Sequence, residues 1–311
     1  MNKVKLTGAE IIWECLLREQ VNVVFGYPGG AILPTYDALS KYSDRIHHVL
    51  TRHEQGATHM ADGYARSSGK VGVALATSGP GAANMVTGLA TAMMDSVPIV
   101  CITGQVPRPA IGSDAFQEMD ISGAVIPVTK HSYLVMDIKD LAKTIKEAFV
   151  IARSGRPGPV LVDIPKDLQA EEFDFIYPEE PILLPGDNPI KNDINAKSLE
   201  EAAKLIANAE RPVILAGHGI LLSGASKEVI ELSEKGDIPL SWTLLGSGAV
   251  PASHNLNMGM MGMHGEFAAN NAIQKADLLI ACGMRFDDRV TGNTKTYSLN
   301  SKKIHIEIDP S

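Results

Sequence analysis

The chain has 311 residues, 45% of them hydrophobic and 21% charged, with a formal net charge of −8. Such a length and composition allow two globular domains with full cores. The acidic balance argues against a nucleic-acid or anionic-membrane partner, and no stretch approaches the roughly 20 apolar residues of a membrane span.

Strand and helix patterns alternate from the start. Thr7 predicts a helix N-cap, with Glu10 as its capping-box partner, for a helix to about Glu19. Val21 to Phe25 reads as a strand closed by Gly26-Tyr27-Pro28-Gly29-Gly30, and a helix follows from Ile32 to about Lys41. A strand from Ile46 to Leu50 runs into Arg52-His53-Glu54-Gln55-Gly56-Ala57, and a helix from Ala57 to Arg66 runs out of it. Ala57, Ala61 and Ala65 recur at spacing four, so another backbone or a flat ligand can come close. Val71 to Ala76 is the next strand; Thr77-Ser78-Gly79-Pro80-Gly81-Ala82-Ala83-Asn84 opens a helix to about Met94. Strands at Val97 to Thr103 and Val160 to Ile164 enclose an amphipathic helix from Asp140 to Arg153.

From Asp167 to Asn195 the composition turns acidic, with Pro178, Pro181, Pro185 and Pro189, and reads as an extended surface linker. The pattern then restarts: a helix capped by Ser198 to about Asn208, a strand at Pro212 to Ala216, the turn Gly217-His218-Gly219 and a helix from Ala225 to Lys235. Ile238 to Trp242, Asp277 to Cys282 and Lys303 to Ile308 are strands, and Glu266 to Gln274 a helix. Such alternation implies an α/β fold with two doubly wound parallel-sheet domains, 1–166 and 197–311, joined by a linker over 167–196. The second stops just after a strand that lacks its covering helix, so the chain reads as cut short.

Cys15, Cys101 and Cys282 show no regular spacing, which leaves no disulfide framework and no metal motif; buried thiols in a reducing compartment are expected. The polar stretch Met1 to Glu10 has no signal core, pointing to a cytoplasmic protein or the processed form of an organellar one. Glu54 is the chemical focus. A carboxylate at a strand-to-helix junction sits at the mouth of an α/β sheet, and a shielding ligand would favour its neutral form. A surface glutamate favoured by a helix dipole is the competing reading. Gly283 to Val290 sets Arg285, Asp287, Asp288 and Arg289 at a strand end, for binding phosphate or carboxylate or for a local ion-pair network. Met258 to Gly265 offers an adaptable apolar surface for a flat ring, or a loop of buried methionines. Glu307 ends the last strand as a ribose ligand or a solvated charge.

Taken together, the Tyr-Pro-Gly-Gly turn, Arg52 to Ala57, Thr77 to Gly81, Asp114-Ala115-Phe116-Gln117-Glu118, Arg156 to Val160, Pro165-Lys166-Asp167, Met263-His264-Gly265 and Phe286 to Val290 resemble the catalytic subunits of acetohydroxyacid (acetolactate) synthases, thiamine-diphosphate enzymes of branched-chain amino-acid synthesis. The resemblance covers essentially the whole chain. It implies a pyrimidine-binding domain over 1–166 and a Rossmann-like FAD-binding domain, incomplete at its C-terminus, over 197–311. It implies decarboxylation of pyruvate and joining of the remaining enamine to a second 2-keto acid, pyruvate or 2-ketobutyrate.

By the same resemblance Glu54 is the proton-relay glutamate against the aminopyrimidine, with Tyr27, Pro80 and Asn84 on the thiamine diphosphate side. Gly29 and Gly30 lie near the reacting carbon. Phe116, Gln117 and Lys166 line the approach from a neighbouring subunit, and Arg289 receives the second substrate's carboxylate. Arg156, Gly217, Gly219, Thr243, Leu244, Met263, His264, Gly283, Arg285, Asp287, Arg289, Glu307 and Ile308 match positions that hold FAD, a structural flavin in this family. A homo-oligomer, at least a dimer, and a small regulatory subunit are implied partners. The family's Gly-Asp-Gly anchor for Mg2+ and diphosphate is missing from these residues; Gly186-Asp187-Asn188 is no substitute. The chain alone is therefore expected to be inactive. Two other readings stand beside this one: a non-catalytic flavin-binding or assembly remnant, and a sister thiamine enzyme such as pyruvate oxidase. Glyoxylate carboligase, which lacks the glutamate matching Glu54, fits less well.

Overall fold

Thr7 and Glu10 close the expected capping box in a computed structural model that describes residues 4–183 and 195–309. The chain divides into two units, Met1–Asp187 and Asn188–Ser311. In the first, the elements run β1 (Val4–Thr7), α1 (Gly8–Arg18), β2 (Val23–Gly26), α2 (Leu33–Leu39), β3 (His47–Leu50), α3 (Glu54–Ser68), β4 (Gly72–Ala76), α4 (Pro80–Ala83), α5 (Val86–Asp95), β5 (Ile99–Gln105), α6 (Ile121–Ala124), β6 (His131–Leu134), α7 (Ile138–Arg153), β7 (Val160–Pro165), α8 (Lys166–Ala170) and β8 (Glu172–Phe175).

Six of these strands make one parallel sheet in the order β3-β2-β4-β5-β7-β6. Both faces are covered, which is why the central strands are apolar without interruption. Alternate side chains feed two cores. Val73, Leu75, Val100 and Ile102 pack with Trp13 and Leu16 of α1 and with Ile145 and Phe149 of α7. Ala74, Ala76, Ile99 and Cys101 pack with α3 and α5. The alanine stripe of α3 brings a backbone close rather than a ligand: a Cβ at Gly72 would strike the Ala61 carbonyl.

The second unit runs α9 (Ala196–Asn208), β9 (Pro212–Ala216), α10 (His218–Ser223), α11 (Ser226–Gly236), β10 (Leu240–Trp242), β11 (Asn257–Met260), α12 (Phe267–Lys275), β12 (Leu278–Cys282), α13 (Asp288–Thr291) and β13 (Lys302–Ile306). Its five parallel strands lie in the order β11-β10-β9-β12-β13, with the first strand central. Both sheets are doubly wound, as expected.

Several expectations need correction. The stretch read as linker begins with helix α8 and strand β8, and β8 pairs antiparallel with β1 from Val4↔Phe175 to Thr7↔Glu172. The Glu-Phe-Asp-Phe alternation half-buries this strand despite its acidity. Residues 184–194, with Pro185, Gly186, Asp187, Asn188 and Pro189, lie outside the described residues. Helix α3 starts at Glu54, three positions before Ala57, because His53 caps it: its Nδ1 accepts from the Gln55 N–H at 3.1 Å. Asn195, not Ser198, caps α9. The helix opened by Pro80 comes as two pieces, α4 and α5.

All three cysteines are buried and free, and burial raises Cys101 to about 12 and Cys282 to about 11. Among the described residues no helix is long and apolar enough to cross a membrane.

Candidate functional site

In the first unit the chain leaves β2 for β3 on one side, then crosses to β4 on the other. The loops after β2 and β4 therefore diverge at a topological switch point, where open α/β sheets bind ligands. Thr77 clasps the two loops. Its Oγ1 accepts from the Ala31 N–H at 3.1 Å, and a Cβ at Gly29 would meet the Thr77 Cβ at 2.5 Å. A Cβ at Gly30 would meet nothing within 4 Å, so the chain is open there.

Glu54 enters this crevice from the end of β3. It is only 7% exposed, at the first position of α3, where the helix dipole favours a carboxylate. Asn84 donates Nδ2–H to Glu54 Oε2 at 2.9 Å. Oε1 has no hydrogen-bond partner among the described residues, and a Cβ at Gly81 would stand 3.2 Å from it. Burial, then the charge of Glu54, pushes the Tyr36 hydroxyl well above its ordinary range. Thr51 adds a buried hydroxyl with no hydrogen-bond partner among the described residues, one residue past β3 and joined by its own N–H to the Gly26 carbonyl at 3.0 Å. Glu54, Gly29, Gly30, Pro80 and Asn84 thus come together around one crevice, while Tyr27 lies exposed on the same β2 loop.

The loop after β5 carries Phe116 and Gln117. Phe116 is 88% exposed; Gln117 holds φ +59°, and its carbonyl lies against Gly79. Glu118 pins this loop by accepting from the N–H groups of Gly112 and of Ala115 (2.9 Å), which hold its carboxyl below the usual range. Lys166 starts α8 at the end of β7, half-buried. The same helix carries a residue sequence reasoning missed. Buried Gln169 donates to the Ala31 and Ile164 carbonyls at 2.9 Å each and accepts from Thr35, so α8 holds the β2 loop. Its bonds to Ala31 and Thr35 are distant in sequence, and no local signal marks them.

In the second unit the residues matched to a flavin site occupy loops after the strands. Gly217, Gly219 and Gly283 pack on one another: Gly219 N–H donates to the Gly283 carbonyl at 2.9 Å, and Gly283, at φ +60°, would set a Cβ 2.6 Å from the Gly219 Cα. Their close approach already accounts for the glycines. Thr243 caps a short turn with Gly246, and Leu244 beside it is 72% exposed. Met263, 59% exposed, donates its N–H to the Arg289 carbonyl at 2.7 Å, and Arg289 Nη1 reaches the Met263 sulfur at 3.4 Å. His264 is exposed beside it.

Asp287 caps α13 through the N–H groups of Arg289 and Val290, with Arg285 3.9 Å away. Glu307 Oε1 accepts from the Ile308 N–H at 2.9 Å, and Oε2 faces His305 at 3.9 Å. Tyr297 has a buried hydroxyl with no hydrogen-bond partner among the described residues. Arg156 belongs to the first unit and grips the end of α5, donating to Ser96 Oγ at 2.8 Å and to the carbonyls of Met93 and Met94. Among the described residues no group of three or more His, Cys, Asp or Glu side chains is placed to hold a metal.

Two family profiles match the chain: the thiamine pyrophosphate enzyme N-terminal TPP-binding domain over residues 6–124, and the thiamine pyrophosphate enzyme central domain over 199–311. A protein of Methanocaldococcus jannaschii named probable acetolactate synthase large subunit is 51% identical over 308 residues, 98% of this chain and 52% of that protein. The acetolactate synthase large subunit of Corynebacterium glutamicum is 50% identical over 307 residues, 99% of this chain and 49% of its own length. The acetolactate synthase of Arthrospira platensis is 50% identical over 314 residues, covering 99% and 54%. The chain thus spans about half the length of these curated relatives.

Proposed function

The chain belongs to the thiamine pyrophosphate enzymes, as a homologue of acetolactate synthase large subunits, and from that premise we propose that it supplies the cofactor's pyrimidine site and the flavin domain of such a subunit. The reaction is decarboxylation of pyruvate and transfer of the two-carbon remainder to a second 2-keto acid, pyruvate or 2-ketobutyrate. The observation that carries this reading is Glu54: a buried carboxylate at the switch point, with one oxygen held by Asn84 and the other against Gly81, unpartnered among the described residues.

The open backbone here supports a flat ring as the ligand: Gly30 and Gly81 leave room that side chains would fill. When bound, thiamine diphosphate supplies the carbanion chemistry. The chain's part is to hold and return a proton. Asn84 orients the carboxylate through Oε2 and leaves Oε1 to exchange a proton with the bound ring; Thr77 keeps the Gly29-Gly30 backbone in register beside it. Glu54, Tyr27, Pro80 and Asn84 are the proposed cofactor contacts.

Phe116, Gln117 and Lys166 are proposed to line the approach, and Arg289 to receive the second carboxylate. FAD is proposed on the loops of the second unit. Exposed Leu244 and Met263 offer apolar surface there, and Glu307 Oε2 an acceptor. No magnesium ligand is assigned to these residues. A homodimer, a small regulatory subunit and a cytoplasmic setting belong to the same reading.

The test joins the 311-residue chain to the C-terminal half of the Corynebacterium relative and measures acetolactate from pyruvate, with thiamine diphosphate, FAD and Mg2+ present. The joined protein is expected to be active and the chain alone inactive. Acetolactate made at equal speed by Glu54→Gln would overturn the reading.

A further inference from the structure

The interior of the first unit holds a charged group that the proposed chemistry does not touch. Asp163, on β7, is 1% exposed and lies beside Thr103 of β5, its register partner. Thr103 Oγ1 donates to Oδ1 at 2.7 Å, and Gln105 Nε2 donates to Oδ2 at 2.8 Å. A buried carboxylate is costly to desolvate and persists only where donors face it.

Gln105 does more than satisfy that charge. The same Nε2 donates to the Met119 carbonyl at 2.9 Å, and Oε1 accepts from the Val106 N–H at 2.8 Å. One buried amide therefore grips both ends of the loop that presents Phe116 and Gln117. An amide has one donor end and one acceptor end, and a carboxylate only accepts. Oε1 faces the Val106 N–H, while Nε2 faces both the Met119 carbonyl and the carboxylate at 163, so the three partners hold the amide one way round. An apolar side chain at 163 removes one of the two acceptors that hold Nε2, whereas an Asn keeps one, because its Oδ1 can face Gln105 while its NH2 donates to Thr103 Oγ1.

We propose that Asp163 is a positioning residue: through the orientation of the Gln105 side chain it sets the 106–119 loop, and with it Phe116 and Gln117, against the Gly79 turn. Only the loop's role at the mouth of the site rests on the function proposed above. Its geometry is read directly, so failure of either claim is visible without the other.

The experiment is residue-resolved amide hydrogen exchange on the 311-residue chain. In Asp163→Leu, which removes the acceptor, Val106 and the amides of 112–121 are expected to exchange about tenfold faster or more, while those of β4 and β12 stay slow. Asp163→Asn keeps an acceptor for Gln105 and is expected to leave Val106 and 112–121 slow. Gln105→Met, which keeps the volume and loses the amide, is expected to free the loop as Asp163→Leu does; it stands in if Asp163→Leu does not fold. The proposal is overturned if 112–121 stay slow in Asp163→Leu or in Gln105→Met, if exchange in Asp163→Leu quickens evenly across the unit, or if Asp163→Asn frees the loop as Asp163→Leu does.

Discussion

Each unit gathers glycines at the C-terminal ends of parallel strands, but the glycines answer to different neighbours. In the first unit a Cβ at Gly29 would meet the side chain of Thr77, and one at Gly81 would approach the Glu54 carboxylate, so chemistry-bearing groups stand where the glycines make room. In the second unit Gly219 and Gly283 meet each other's backbone, and the apolar groups nearby, Leu244 and Met263, face outward. The burial differs too: α3 of the first unit buries six residues, whereas α9 of the second buries none. The first site is built by its own fold. The second leaves apolar side chains exposed on its loops.

The largest expected effect tests the first half of that contrast. In the joined enzyme Glu54→Gln is expected to lower the acetolactate rate by about 10²–10⁴, the usual worth of a positioned acid–base group. The urea midpoint of the first unit should not move, since the Asn84 bond survives the change. A lost midpoint with the rate per folded molecule preserved would make Glu54 a structural residue.

The interior carboxylate sharpens the contrast through pH. Burial raises Asp163 from 3.8 to about 6; the Thr103 and Gln105 bonds oppose this and the charge of Asp120 adds to it. An acid whose folded value is raised favours the fold most when protonated. The first unit is therefore most stabilised below pH 3.8 by this group and loses up to about 3 kcal/mol as pH climbs to about 6. Urea titrations of wild type and Asp163→Asn across that window should diverge by this amount, with the second unit indifferent. Parallel curves would remove Asp163 as the source.

Glycine substitutions separate the two strand-end edges. Gly29→Ala and Gly283→Ala are each expected to cost about 1–3 kcal/mol of their own unit's stability. The first clash is with a side chain, so Thr77→Ser should relieve part of it, a coupling of about 0.5 kcal/mol or more in a double-mutant cycle. The second is between backbones, at a φ that favours glycine, and no side-chain change should relieve it. Gly30→Ala, which meets nothing, is expected to stay within about 0.5 kcal/mol of wild type while slowing the joined enzyme. Thr7→Ala, which removes the capping box, is expected to cost about 1 kcal/mol in the first unit alone.

Much of the fold was legible residue by residue. The capping box at Thr7, the uninterrupted apolar strands and the position of Glu54 at a strand-to-helix junction follow from patterns spanning a few residues. Strand β8 was missed because its alternation of Glu172-Phe173-Asp174-Phe175 lies in an acidic, proline-rich stretch, and its partner β1 sits at the other end of the unit. The matched motifs named Glu54, Gly29 and Asn84; they did not name Gln169, Thr51, Gln105 or Asp163.

What the amino-acid order determined by itself is the local chemistry: which segments coil, which extend, and that an acidic side chain stands at a strand-to-helix junction. Only the tertiary structure decided what that side chain meets. Asn84 reaches Glu54, and Thr77 reaches the Gly29 loop, because β4 lies beside β2 rather than β3. That adjacency comes from a crossover and from two cores packing on opposite faces, and no short stretch of chain encodes it.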